Sequence, residues 1–293
     1  MQLRAISALP SSTPALRPWF ARWFVYSAVA AAVVASSLAI PQAARASGGP
    51  VGLAFDGKTR KLNGFPSTLK GGLTTFTLKS SSYGVSLQLA KLTGTHTDVE
   101  IEKAVNSDDA PPTWVVPYGG TVAMSGVGAT STATANLDRG SYVWIVFSAG
   151  GQLDKKSPWA RFTVTGPKSA TQPTGGTATI KTLEYGFDVD GLKSGPTTVN
   201  YVNGGKEWHH VIIQKLKPGK TLADFQKAVA SGPTPDGLVD DKASLGFPVL
   251  SPGLSEVASI DLTPGIYVFA CFMPDKTGKP HAMSGMVREI KVS

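Results

Sequence analysis

Cysteine is almost missing: Cys271 is the one thiol in 293 residues. No internal disulfide can form, so that thiol is a small buried apolar side chain, a metal ligand or a link to another chain. Histidine is nearly as scarce, with four residues in all, which excludes a centre built from many imidazoles. Charge is sparse too, at 16% of residues, and no acidic residue precedes Asp56. Nucleotide-binding loops, zinc-helix motifs and serine-nucleophile elbows are absent. Two carboxylate pairs, Asp108-Asp109 and Asp240-Asp241, stand in polar loops, where solvated turns explain them better than acid–base chemistry.

The acid-free start reads as an export leader. Arg4, Arg17 and Arg22 precede a nearly continuous apolar run from Phe24 to Ile40, and Ala44-Arg45-Ala46 offers a small-x-small cleavage pattern. Cleavage after Ala46 would make 1–46 a signal peptide and the mature protein periplasmic or secreted. The alternative is an uncleaved helix, since the run approaches spanning length. Residues 1–46 hold four Arg and no acid, so the formal charge of +8 falls to 24 minus 20, or +4, without them. That mild and dispersed charge argues against nucleic acid as a partner.

Glycine and proline are abundant, 32 and 21 residues, and Thr, Ser and Val recur in short runs. Such a chain favours many short strands joined by turns. The chain also repeats itself. At an offset of 124, Lys91-Leu92 falls on Lys215-Leu216 and Lys103-Ala104-Val105 on Lys227-Ala228-Val229. A short helix is predicted between these anchors in each half, begun by Thr97 with Glu100 and by Thr221 with Asp224, a hydroxyl cap with an acid three residues on. At an offset of 125, Asn136 to Tyr142 falls on Asp261 to Tyr267, and Phe147 on Phe272. Strands are expected at 74–78, 86–92, 141–147, 199–202, 211–216 and 266–272. The fold class is all-β: two tandem Greek-key sandwiches, 47–165 and 177–293, each with one short helix and joined by a Gly/Pro-rich linker, 166–176.

The stretch Pro264-Gly265-Ile266-Tyr267-Val268-Phe269-Ala270-Cys271, followed by His281, four residues and Met286-Val287, resembles the plastocyanin-like branch of the cupredoxins. Asn203-Gly204-Gly205-Lys206-Glu207-Trp208-His209-His210-Val211 resembles that family's first-histidine region. The resemblance implies one copper ion held by His209, Cys271 and His281, with Met286 as a weak axial ligand. Thiolate and imidazole suit both copper oxidation states, and the thioether helps set the potential. Adjacent residues on a strand face opposite ways, so His209 and His210 compete for one role, and alternation with the apolar residues that follow favours His209. Nine residues, Phe272 to Pro280, separate Cys271 from His281, more than in small members of the family. The polar insert within them, residues 275–279, either bulges outwards or draws His281 away from the thiol.

The first half carries Val85, Ser86 and Val146 at the positions of His209, His210 and Cys271. It is expected to keep the fold without the ligands, as a spacer or docking module, with His96 beside its helix cap. Four histidines rule out a trinuclear copper centre or a nitrite reductase's second site, so no enzymatic activity is expected. The leading expectation is single-electron transfer with a redox protein partner. Two others stand beside it: a metal-free envelope module, with Met286 as core filler, or Cu(I) handling through Met273, Met283, Met286 and Cys271.

Overall fold

The computed structural model describes residues 50–82, 84–107, 111–123, 128–148, 157–231 and 237–293. The expected leader with its cleavage pattern, and Asp108-Asp109, lie outside the described residues. Among the described residues no helix is long and apolar enough to cross a membrane.

The first half runs β1 (Val51–Asp56), β2 (Lys61–Asn63), β3 (Thr68–Lys70), β4 (Gly72–Ser80), β5 (Val85–Leu92), α1 (Asp98–Asn106), β6 (Val115–Thr121), β7 (Thr130–Leu137), β8 (Gly140–Ser148) and β9 (Trp159–Thr165). The second runs β10 (Ala178–Leu183), β11 (Gly186–Asp190), β12 (Gly195–Asn203), β13 (His209–Leu216), α2 (Leu222–Ser231), β14 (Val239–Leu250), β15 (Ser255–Leu262), β16 (Gly265–Ala270) and β17 (Val287–Val292). Each strand expected from sequence overlaps one of these, although β16 stops at Ala270, two residues short of the expected end, and Asp240-Asp241, expected in a polar loop, lie at the start of β14. The protein is an all-β sandwich, with one α-helix in each half among the described residues.

The repeat extends to small devices. Thr97 Oγ1 accepts from the Glu100 N–H while Glu100 accepts from the Thr97 N–H, and Thr221 and Asp224 make the same pair. Each box satisfies backbone donors that a helix start leaves unpaired. Tyr142 and Tyr267 each donate to the carbonyl four residues back, at 3.0 and 2.9 Å. Lys91 and Lys215 sit over those two rings, 5.9 and 5.8 Å from the centroids.

The two sheets do not stop at the boundary between halves. One has eight strands in the order β11-β10-β12-β15-β7-β4-β1-β2, and the other nine in the order β17-β16-β13-β14-β6-β5-β8-β9-β3. The halves therefore meet edge to edge, with corresponding strands paired: β15 with β7, and β14 with β6. Each edge covers the other, so neither presents an open ladder of backbone groups there. Two buried polar side chains lock this seam. The Gln88 carboxamide donates to Gly119 O and Val249 O, both at 3.0 Å, and accepts from Val249 N at 2.8 Å. Glu256 returns the reach, accepting from Gly120 N at 2.7 Å.

Strand alternation places the site. Val211 and Ile213 of β13 and Tyr267 and Phe269 of β16 point between the sheets into the second-half core. Ile212, Val268 and Ala270 point the other way, under α2, where they meet Phe225, Ala228 and Val229. Carrying the period of two outwards sends His209 and Cys271 inward and His210 and Phe272 outward.

Candidate metal centre

His209 opens β13 and Cys271 follows the last residue of β16, so two neighbouring strands deliver them to one end of the sandwich. His281 arrives from the insert. Residues 275–279 form a closed turn: Asp275 N donates to Lys279 O at 2.9 Å, and the Asp275 carboxylate accepts from Thr277 N and Lys279 N. Pro274 and Pro280 bridge at its base. Below it, His281 N donates to Met273 O at 2.8 Å and Ala282 N to Cys271 O at 2.7 Å. The extra residues are thus spent in an outward turn, and His281 returns beside the thiol on a 3-10 turn, His281–Ser284.

The side chains converge. Cys271 Sγ lies 3.7 Å from His209 Nδ1 and 3.5 Å from His281 Nδ1, and the two Nδ1 atoms are 3.1 Å apart. All three residues are fully buried. Donors about 2.0–2.3 Å from one ion, at trigonal to tetrahedral angles, stand about 3.3–3.7 Å from one another, close to the separations here. These residues fit a metal ion, and the set of two imidazoles and one thiolate is consistent with a single copper ion.

Met286 is fully buried in the same core. Its carbonyl accepts from Cys271 N and its N–H donates to His281 O, at 3.2 and 3.0 Å, which ties it to both neighbours. His210 stands apart. Its Nε2 accepts from Phe272 N at 2.8 Å, a structural bond on the helix-covered face. His96 stacks on Trp114 at 3.8 Å, and its Nε2 lies 2.8 Å from Thr93 O.

Sequence reading did not anticipate Glu184 and Glu207. Glu184 occupies the tight turn between β10 and β11, and its carboxylate lies 3.1 Å from His209 Nε2. That same carboxylate accepts from Glu207 N at 2.8 Å and from Lys206 N. Glu207 Oε2 lies 2.9 Å from His281 Nε2, and Tyr185 adds its hydroxyl at 3.4 Å and its ring at 4.8 Å from the His281 ring. A carboxylate on Nε2 fixes the proton there and leaves Nδ1 with a free lone pair. One signal was available for Glu207, which stands two residues before His209 and shares its strand parity.

Electrostatics follow burial. Desolvation pushes the Cys271 thiol up to about 12 and lowers both His209 and His281, against the raising pull of their carboxylates. His210 falls to about 3 for the same reason. Burial acts to raise Glu184 as well, but the Glu207 and Lys206 N–H groups and His209 outweigh it and hold the group below its usual range. Neutral imidazoles are the state a metal requires.

No family model matches the chain, and no curated protein matches it. Among solved structures it is similar to reduced auracyanin from Roseiflexus castenholzii, at 25% identity over 39% of this chain and 94% of that one, with a TM-score of 0.27. It is also similar to auracyanin A of Chloroflexus aurantiacus, described as a blue copper protein, at 20% identity over 39% and 98%, TM-score 0.24. A multicopper oxidase aligns at 12% identity over 80% of this chain and 81% of its own, TM-score 0.24. The buried His-Cys-His group of the second half is consistent with the cupredoxin resemblance that its motifs carry.

Proposed function

We propose that this chain is an exported, copper-binding electron carrier with one mononuclear site in its second half. His209, Cys271 and His281 would hold the ion, and the buried Met286 would supply a weak thioether ligand. One observation carries the reading. Two imidazole Nδ1 atoms face each other at 3.1 Å beside a buried thiol, and each ring has a carboxylate on its opposite nitrogen. Lone pairs so placed repel unless a proton or cation lies between them.

Copper, when bound, supplies a one-electron couple. The chain's part is to bury the ligands, orient the rings through Glu184 and Glu207, and exclude water behind Tyr185. An export leader fits a mature protein that works outside the cytoplasm and meets a redox protein there. A non-enzymatic role is supported by the histidine count: His96 and His210 have structural partners, which leaves two for a metal.

Purified chain from Ser47 onwards should take up one copper per molecule, become strongly coloured as Cu(II), and bleach reversibly with one electron. A protein that stays colourless, with no stoichiometric uptake, refutes the proposal. A Cu(I)-delivery role draws support from Met283, which is 45% exposed on the same 3-10 turn as His281. Tight Cu(I) binding without a reversible couple would favour that reading.

A further inference from the structure

The two carboxylates do more than aim the imidazoles. We infer that Glu184 and Glu207 set the site's oxidation-state preference, holding bound copper towards Cu(II). This rests on the copper reading above and extends it.

Charge is the first reason. Cu(II) with one thiolate carries a net +1, and two carboxylates hydrogen-bonded to the ligand rings bring the cluster to −1. Reduction takes it to −2. His209, Cys271 and His281 are fully buried, while the side chains of Glu184 and Glu207 keep only 28% and 22% of their exposure. Charge added in such surroundings is poorly screened, so the more negative state is disfavoured. Asp275 stands near enough to act on His281 in the same sense.

Hydrogen bonding is the second reason. A carboxylate that accepts an Nε2–H makes the ring a more basic donor through Nδ1, and a more basic imidazole favours the higher-charged ion. Both carboxylates are held for the task. Glu184 accepts two backbone N–H groups beside His209, and the Glu207 carbonyl accepts from Asn203 Nδ2 at 2.8 Å. Glu207 also receives the Tyr185 hydroxyl. They are positioning residues, since neither touches the ion's place directly.

Glu184→Gln, Glu207→Gln and the double variant remove charge while keeping shape and an acceptor oxygen for the ring N–H. Two quantities are measured on copper-loaded protein: midpoint potential by spectroelectrochemical titration, and Cu(I) affinity by competition with a chromophoric chelator. Each single change should raise the ratio of Cu(I) to Cu(II) affinity about tenfold, which is 59 mV upward for a one-electron couple. The double variant should exceed either single. In metal-free wild type, the Nε2–H protons of His209 and His281 should be visible and slow to exchange by NMR.

A coloured wild type whose Gln variants keep its potential overturns this inference and leaves the copper reading standing. A wild type that takes up no copper overturns both. Should a Gln variant fail to fold, Glu184→Asp and Glu207→Asp serve instead. They keep the charge but withdraw it from the ring, so a smaller upward shift supports the inference and an unmoved potential overturns it.

Discussion

The two halves share a frame and differ in what fills one end of it. Val85 and Val146 are buried in the first-half core, where the second half carries His209 and Cys271. Around them the capping boxes, the tyrosines bonded to the turn carbonyl and the lysines over those rings are common to both. The sandwich therefore needs no metal ligands to form. The second half adds a polar cluster of two imidazoles, a thiol and two carboxylates to a frame that an apolar version already satisfies. Buried polar groups are costly unless partnered, and here each ring nitrogen is either on a carboxylate or turned to the shared centre.

Breaking the second half at its thiol should produce the largest effect. Cys271→Ser should abolish the colour and reduce copper affinity on the order of a thousandfold, about 4 kcal/mol. The matching first-half change, Val146→Ala, should leave copper uptake intact and cost roughly 2 kcal/mol of folding stability through a small cavity. Isothermal titration with copper and urea unfolding of metal-free protein separate the two. Equal copper affinity in wild type and Cys271→Ser would end the distinction between halves.

Next comes the seam. Burial pushes Glu256 from 4.5 up to about 8, opposed only by the Gly120 N–H. The corresponding first-half residue is Ser131, which does not titrate. A carboxyl raised in the folded state binds its proton more tightly there than in the unfolded chain. Its contribution is complete below about pH 4.5 and is lost as pH rises towards 8, on the order of 5 kcal/mol. Glu256→Gln should flatten that decline in urea midpoints measured across the window. A wild type whose stability does not fall over this range would show that the seam opens to water there.

Gly205 offers a subtler break. A Cβ at this position would collide with Glu184 Oε1 and His209 Nε2. Gly205→Ala should lower copper affinity by about tenfold to hundredfold, or about 1.4–2.8 kcal/mol, with little change in the circular dichroism of the metal-free chain. Unchanged affinity would mean that the carboxylate yields without disturbing the ring.

The residues just discussed also mark how far the sequence could be read. Repeat, strands and helix caps were visible because each depends on local pattern, a period of two or an acid three residues after a hydroxyl. The four proposed ligands were visible as a spaced motif, and alternation along β13 was enough to set His209 above His210. Glu184 was not, since a turn acid between two strands looks like any solvated turn until the hairpin is folded over the site. The seam was hidden for a similar reason. Gln88 and Val249 lie 161 residues apart, and no periodicity announces that the sheets of two repeats join into one. The insert stayed ambiguous because only the Asp275 turn decides whether the inserted residues, 275–279, move His281 or bypass it.

The smallest expected effect tests the frame itself. Thr97→Ala removes a cap from the half without ligands, and Thr221→Ala the equivalent cap from the half that has them. Each leaves one backbone N–H at a helix start without its side-chain acceptor, so each should lower Tm by about 2–4 °C. Both helices cover the outer face of the nine-stranded sheet, where Ile101 packs on Ala90 and Val143, and Phe225 on Ile212 and Val268. That sheet is continuous through β14 and β6, so the two losses should move one shared transition by similar amounts in scanning calorimetry. Two separable transitions, each answering to its own cap, would mean that the seam pairs strands without coupling the halves. The site would then depend on its own half alone.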